Sequence, residues 1–327
     1  MNYNSLPSQF IQLVYEQVLN PSYQTRFRAL KTRFFNKLSR MILKFGDPLV
    51  KYNIAGFDLL IPFSHTLPIL LREHLLYGSN LSRIAKYIKD KYQNLTFIDI
   101  GANIGDSVAI LRKEAEFPIL CIEGNDKFFS ILEKNAALFS DICIVKSFVG
   151  KDNQIVKETN IAEGGGSAYL IKDTGSQNTI EIKKLLNILE DYPSFLQSKM
   201  LKIDTDGFDN NIIRGAEIFI SKIKPVIFFE YSPWHLTQQG DDGLSIFDYL
   251  RNHNYFDLLI YDNLGYLMLS ATTNDSNLLK DLHLYFLKFL SRTKERYCDI
   301  CVFHKEDTEL FNFIKHEEVS FFKSLSQ

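Results

Sequence analysis

One tryptophan, four cysteines and no uninterrupted apolar run of transmembrane length set the first limits on this 327-residue chain. Without a run of about 18 apolar residues no membrane-spanning helix is expected. Four cysteines in a chain of this length make no disulfide framework. Cys121 and Cys143 lie inside apolar, strand-like runs, where a free thiol behaves as a small hydrophobe. A reducing cytoplasm is therefore the expected compartment. A charge excess is missing too: 37 basic against 39 acidic side chains leave a net charge of −2. Nothing global points to nucleic acid as a partner. Residues 1–9 are polar, and the apolar residues after them are interrupted by Tyr15, Glu16 and Gln17, so no secretory leader is read. No internal repeat or low-complexity tract is present, which leaves out solenoids and disordered arrays. What remains has the composition of a globular protein, 46% hydrophobic and 23% charged. Its length suits one large domain with a smaller appendage.

Residues 1–92 read as an N-terminal helical and hairpin extension, and 93–327 as the main domain. Arg26, Arg28, Lys31, Arg33, Lys37, Arg40 and Lys44 stand with no acid among them. Phe27, Leu30, Phe34, Leu38, Met41 and Phe45 interleave at steps of three and four, which predicts one amphipathic helix with a basic face. Its apolar stripe either packs on the protein's own core, the commoner use, or lies on an anionic membrane surface or glycan assembly. Residues 52–63 read as a hairpin or strand and 80–92 as a helix. Strands follow at 95–100, 118–123, 142–148, 199–204, 225–230, 256–261 and 297–303. Helices are placed at 105–115, 126–138, 181–190, 208–221 and 244–252. Runs such as Val226-Ile-Phe-Phe229 are apolar on both faces, the mark of strands covered on both sides. The fold expected is a doubly wound α/β domain with right-handed crossovers.

The turn Asp99-Ile-Gly101-Ala-Asn103-Ile-Gly105-Asp106 carries the first chemistry. Gly101 and Gly105 remove side chains where a ligand meets backbone. The spacing is not Gly-x-Gly-x-x-Gly, and no Gly-Lys-Ser/Thr follows, so neither a dinucleotide fingerprint nor a P-loop fits. The turn holds no Lys or Arg and is flanked by Asp99 and Asp106. Acids there repel phosphate and favour a cationic sulfonium, which points to S-adenosyl-L-methionine. The plain alternative is a tight turn capped by Asn103 or Asp106. Glu123, about 20 residues past the glycine turn, is placed to accept from ribose hydroxyls, and Gly124 follows it at the next helix.

Lys202, Asp204 and Asp206 alternate as if along one face of the strand at 199–204, and two acids with a lysine in a hydrophobic strand are costly unless paired or used. Asp209 falls in the first turn of the following helix, where it is equally read as a cap. Glu230 ends a buried strand, and His235 beyond it is a candidate general base. Trp234 is read either as a sugar-stacking ring or as rim packing. Gly164-Gly165-Gly166-Ser167 is a loop that either closes over a ligand or has no further role. Cys298-x-x-Cys301 is better explained by a final strand than by zinc.

Together, Phe-Ile-Asp99-Ile-Gly101-Ala-Asn103-Ile-Gly105-Asp106, Ile-Glu123, Leu-Lys202-Ile-Asp204-Thr-Asp206-Gly207-Phe-Asp209 with Arg214-Gly215-Ala216, and Pro-Val-Ile-Phe-Phe-Glu230 resemble the FkbM family of S-adenosylmethionine-dependent methyltransferases. The resemblance spans about residues 95–303, and the Lys202–Ala216 block is its specific part. The chain departs from the family in having Asp206-Gly207 for Glu-Gly and Glu123-Gly124 for Glu-Pro. The resemblance implies a Rossmann-like class I fold, a seven-stranded mostly parallel sheet whose last strand is antiparallel. It implies O-methylation of a sugar or glycan hydroxyl in polysaccharides, glycolipids or natural products. The cofactor-binding residues so expected are Asp99, Gly101, Asn103, Gly105, Asp106, Glu123, Gly124 and Asp204, and the catalytic ones Asp206, Glu230 and His235. Oxygen donors at Asp204, Asp206, Asp209 and Glu230 would also suit a divalent cation, but no metal is assigned. A catalytically silent scaffold in a polysaccharide assembly and an RNA methyltransferase are the alternatives. The expected surroundings are cytoplasmic, with membrane contact through residues 26–45 and homo-oligomerisation left open.

Overall fold

The computed structural model describes residues 6–21, 26–157, 161–164, 167–170, 179–288 and 297–325. The chain divides into two compact units, one of residues 1–75 with 163–167 and one of residues 76–162 with 168–327.

In the first unit, helices Leu6–Leu19 and Arg26–Phe45 pack on each other, followed by the hairpin Leu49–Ile54/Phe57–Pro62. Ala55 and Gly56 both take positive φ at its two-residue turn, the geometry that matches strand twist. Gln12 exchanges hydrogen bonds with the backbone of Lys51, tying the first helix to the hairpin edge. The Arg26–Phe45 helix turns Thr32, Phe35, Ser39 and Ile42 inward. Leu30, Phe34, Met41 and Phe45 stay exposed.

The second unit holds an eight-stranded sheet. Its strands are β1 (Phe97–Ile100), β2 (Ile119–Glu123), β3 (Ile142–Lys146), β4 (Met200–Ile203), β5 (Val226–Tyr231), β6 (Tyr255–Asp262), β7 (Leu267–Thr272) and β8 (Cys298–His304). The order is β7-β6-β8-β5-β4-β1-β2-β3. Strands β3, β2, β1, β4 and β5 are mutually parallel, and β8 runs antiparallel to both β5 and β6. Alternate residues feed two cores. Ile98, Ile100, Leu201 and Ile203 face one; Phe97, Met200 and Phe228 face the other. That is the period-2 signature of a sheet covered on both sides. The chain starts at β1, moves outward through β2 and β3, then returns to β4. The strand order therefore switches between β1 and β4, where ligands bind at the carboxyl edge of such sheets.

Three expectations need correction. The sheet has eight strands rather than seven, because Asp262 accepts from the amides of Leu264 and Tyr266 and closes a hairpin that adds β7 at the edge. The helix placed at 181–190 begins only at Leu185; Ile180 and Ile182 alternate with exposed neighbours as the strand Thr179–Lys183. The boundary placed at residue 92 falls earlier. Helix α1 (Ser79–Lys91) buries Leu81, Ile84, Ala85 and Ile88 in the sheet's own core. Cys298 and Cys301 lie buried in β8, and all four cysteines are free thiols.

Candidate active site

The switch between β1 and β4 is built so tightly that only glycine fits. Gly101 has φ +82°, and a Cβ there would fall onto the carbonyl oxygen of Asp204, which closes β4. The amides of Gly101 and Ala102 both donate to the Ile122 carbonyl, folding the turn over β2. Asn103 takes a left-handed φ of 50°, a conformation Asn tolerates better than most residues. Its amide donates to Glu123 Oε2 at 2.8 Å, and the Asn125 amide donates to Glu123 Oε1 at 2.7 Å. Burial pushes the Glu123 carboxyl up, and these amides pull it back. Asn125 caps helix α3 (Asp126–Ala136) by accepting from Lys127 and Phe128. The Phe148 ring lies against Gly124, within 2.6 Å of where a Cβ would stand. Gly101, Asn103, Glu123, Gly124, Asp204 and Asp206 thus line one cavity with apolar walls, Phe148 and Ile182 among them, and among the described residues no Lys or Arg is on its lining.

Beneath this cavity a salt-bridged layer fixes β1 to β4. Asp99 is fully buried, paired in register with Lys202. Lys202 Nζ donates to Asp99 Oδ1 at 3.0 Å and stands 3.4 Å from Asp204. Ser107, in the first turn of α2 (Asp106–Arg112), donates to Asp99 Oδ2. Burial alone would lower the Lys202 pKa, but Asp99 and Asp204 reverse this and keep the ammonium charged. A second cavity lies on this side, lined by Tyr77, Asp106, Ser107, Lys202, Asp204 and Tyr297 among others. Burial pushes Asp106 up to about 6 against the pull of Lys202. Asp204 lines both cavities.

The loop after β4 carries the remaining acids. Asp206 stands at φ 50° and Gly207 at φ +103°, where a Cβ would meet the His235 carbonyl at 2.7 Å. Asp209, at the start of α4 (Asp209–Gly215), staples this loop by accepting from the amides of Thr205 and Gly207, both at 3.1 Å. Glu230, near the end of β5, and His235, on α5 (Pro233–Gln238), complete the group. His235 Nδ1 lies 3.5 Å from Glu230 Oε1 and 4.0 Å from Asp206 Oδ1. Trp234 stands 41% exposed, its ring against that of His235. Burial, then neighbouring carboxylates, push Asp206 and Asp209 up to about 7 and Glu230 well above its ordinary range.

The pattern of the methyltransferase FkbM domain matches residues 99–256. Residues 99–256 are a methyltransferase FkbM domain. No curated protein sequence matches the chain significantly. A solved methyltransferase FkbM from Methylobacillus flagellatus is 20% identical over 47% of this chain and 37% of that one, with a TM-score of 0.34. The chain therefore spans about a third of that relative's length. The METTL16 methyltransferase domain aligns over 93% of this chain and 94% of its own at 11% identity, TM-score 0.41. The Pyrococcus abyssi tRNA (uracil-54, C5)-methyltransferase, solved with S-adenosyl-L-homocysteine, aligns over 79% and 45% at 9% identity, TM-score 0.35.

Within the FkbM domain, the expected residues fall into three places. Gly101, Asn103, Glu123, Gly124, Asp204 and Asp206 share the first cavity. Glu230 and His235 stand beside Asp206 at the end of β5. Asp99, Gly105 and Asp106 do not reach the first cavity's lining. Asp99 is committed to Lys202 and Ser107. Gly105 admits Leu132, whose Cδ1 lies 2.9 Å from where a Cβ would stand. Asp106 belongs to the second cavity. Arg214 and Gly215 are structural: Arg214 pairs with Asp241, and Gly215 lets Gly150 approach. Gly165 and Gly166 lie outside the described residues. Tyr77, Tyr297 and Asp299 escape a reading by motif, since they flank the FkbM domain and reach the site only through the fold.

Raised carboxyls carry a pH prediction. Burial pushes Asp299 up to about 7 although Asn80 donates to it. A carboxyl whose folded pKa lies above its unfolded value near 3.9 stabilises the fold below that value and loses the contribution as pH rises through the folded pKa. The ligand-free protein should therefore lose stability between pH 5 and 7.5, as read by urea midpoints. Asp299→Asn should flatten that slope. An unchanged slope would separate Asp299 from the effect.

Proposed function

We propose that the chain transfers a methyl group from S-adenosyl-L-methionine to a hydroxyl of a sugar or glycan. The observation that carries this reading is Glu123, fixed by two backbone amides between Gly101 and Gly124 and facing an apolar slot. A carboxylate held open beside backbone suits a ribose diol, and Phe148 against Gly124 suits a flat base. Among the described residues the lining carries acids and no Lys or Arg, which disfavours a phosphate ligand and favours a sulfonium. When bound, the cofactor supplies an activated methyl group. The chain's own work is alignment, exclusion of water and removal of the acceptor's proton. Asp206, Glu230 and His235 surround the place where that proton must leave, and Asp204 holds Lys202 at the boundary between the cavities. Exposed Trp234 offers a face for a sugar ring.

The test is methyl transfer from labelled cofactor to a panel of cell-surface glycans and free sugars. His235→Ala should leave S-adenosylhomocysteine affinity within about twofold and slow transfer about 100-fold, the scale of disabling acceptor deprotonation. Cofactor binding without transfer to any glycan would favour the scaffold reading; transfer to RNA alone would replace the acceptor class.

The Arg26–Phe45 helix supports a site of action at the inner membrane face. Leu30, Phe34, Met41 and Phe45 form an exposed stripe at steps of four, seven and four, bordered by Arg33, Lys37, Arg40 and Lys44. Apolar side chains beside lysines and arginines match an anionic lipid surface. Among the described residues no helix is long and apolar enough to cross a membrane. The chain should co-sediment with phosphatidylcholine vesicles containing phosphatidylglycerol and not with phosphatidylcholine alone. The double change Phe34→Asp, Met41→Asp should abolish it. Equal sedimentation of that variant would remove the helix from the contact.

A further inference from the structure

We propose that Asp206, Glu230 and His235 form a binding site for one divalent cation of the Mn²⁺ type. Each offers one ligand atom, and the three atoms lie within 4.8 Å of one another. Ligand atoms about 2.1 Å from an ion stand roughly 3 Å apart when adjacent and a little over 4 Å when opposite. The His235 separations of 3.5 and 4.0 Å already fall in that range. Two carboxylates and an imidazole form a mixed hard and borderline donor set, one that Mn²⁺ accepts.

Glu230 supplies the independent observation. Its residue is only 8% exposed, yet Oε1 is buried and makes no hydrogen bond among the described residues. A buried carboxylate oxygen left unmatched is costly. The charges that weigh most on Glu230 are negative: Asp204, Asp206, Asp209 and Asp299. The buried cation of the layer beneath, Lys202, is already committed to Asp99 and Asp204. Among the described residues neither Asp206 nor Glu230 has an ion pair with Lys or Arg. The loop geometry holds the donors without a metal: Asp209 fixes the amides on both sides of Asp206, and Gly207 lets that loop pass the His235 backbone. Asp206 and His235 keep 22% and 23% of their side chains exposed, so one side of the site stays open to water or an acceptor oxygen.

With Nδ1, the nitrogen nearer both carboxylates, on the ion, the imidazole would carry its proton on Nε2. A hydroxyl bound there would lose its proton more readily, to the second oxygen of Asp206, while its oxygen is held beside the first cavity. That catalytic meaning rests on the methyltransferase reading; cation binding does not.

The full chain, stripped with chelator, should be titrated with Mn²⁺ and the free ion followed by its electron paramagnetic resonance signal. One site per chain is expected. Asp206→Asn and Glu230→Gln should each weaken it about tenfold or more, as should His235→Ala, the scale seen when metal-site partners are removed. Far-ultraviolet circular dichroism and the urea unfolding midpoint serve as the fold check for each variant. Should Glu230→Gln fail to fold, Asp206→Asn at the open edge decides. Glu123→Gln should impair S-adenosylhomocysteine binding and leave Mn²⁺ binding unchanged, which separates the two readings. No Mn²⁺ retained by the wild-type chain, or equal affinity in all three ligand variants, would overturn the proposal.

Discussion

Glu123→Ala is expected to cut S-adenosylhomocysteine affinity by at least about 100-fold. The carboxylate does two things at once. It accepts the Asn103 and Asn125 amides at 2.8 and 2.7 Å, and it faces the cavity between Gly101 and Gly124. Hydrogen bonds to a charged group are worth about 1.5–3 kcal/mol each. Losing two to a ribose gives about 3 kcal/mol or more, and about 1.4 kcal/mol is tenfold in binding. The variant also leaves the Asn103 amide of the glycine turn and the Asn125 amide at the cap of α3 without their acceptor, so the turn that shapes the cavity loosens. Glu123→Gln retains an acceptor oxygen and should lose about tenfold. Calorimetric titration reads both. An alanine variant within about threefold of wild type would remove Glu123 from the cofactor site.

Gly101→Ala should damage the fold itself. At φ +82° an L-residue is strained, and the added methyl would occupy the space of the Asp204 carbonyl. Either β1 and β4 separate or the turn rebuilds, and both break the Asp204 amide's 3.0 Å bond to Ile100. Overpacking against backbone has no flexible side chain to absorb it, so a loss of about 3 kcal/mol or more is expected. Urea denaturation at fixed pH measures this. A loss below about 1 kcal/mol would show that the strands do not meet as described.

Local pattern made the frame and half of the site legible. The glycine turn and Glu123 stand within 25 residues of each other and line one cavity, so spacing alone relates them. Asp99 shows where charge without geometry misleads. Read as an acid flanking a turn, it was expected to face the sulfonium. Strand alternation puts it on the face opposite Ile98 and Ile100, in register with Lys202. Two-residue periodicity, applied to β1 and β4 together, would have paired them. The 181–190 segment failed for the converse reason: Ile180 and Ile182 alternate as in a strand, and the helical spacing begins only at Leu185. Tyr77, Phe148, Tyr297 and Asp299 were not legible, because each reaches a cavity only through strand order, which no single stretch of sequence encodes. Residues 26–45 gave their helix by periodicity, but which face meets water was decided by packing on the Leu6–Leu19 helix.

The central claim is that the cavity between Gly101, Glu123 and Gly124 holds an adenosyl cofactor. Isothermal titration of the wild-type chain with S-adenosylhomocysteine tests it most directly. One site per chain is expected, with binding strongly reduced in Glu123→Ala. No heat and no thermal stabilisation at saturating ligand in a folded wild-type chain would contradict it.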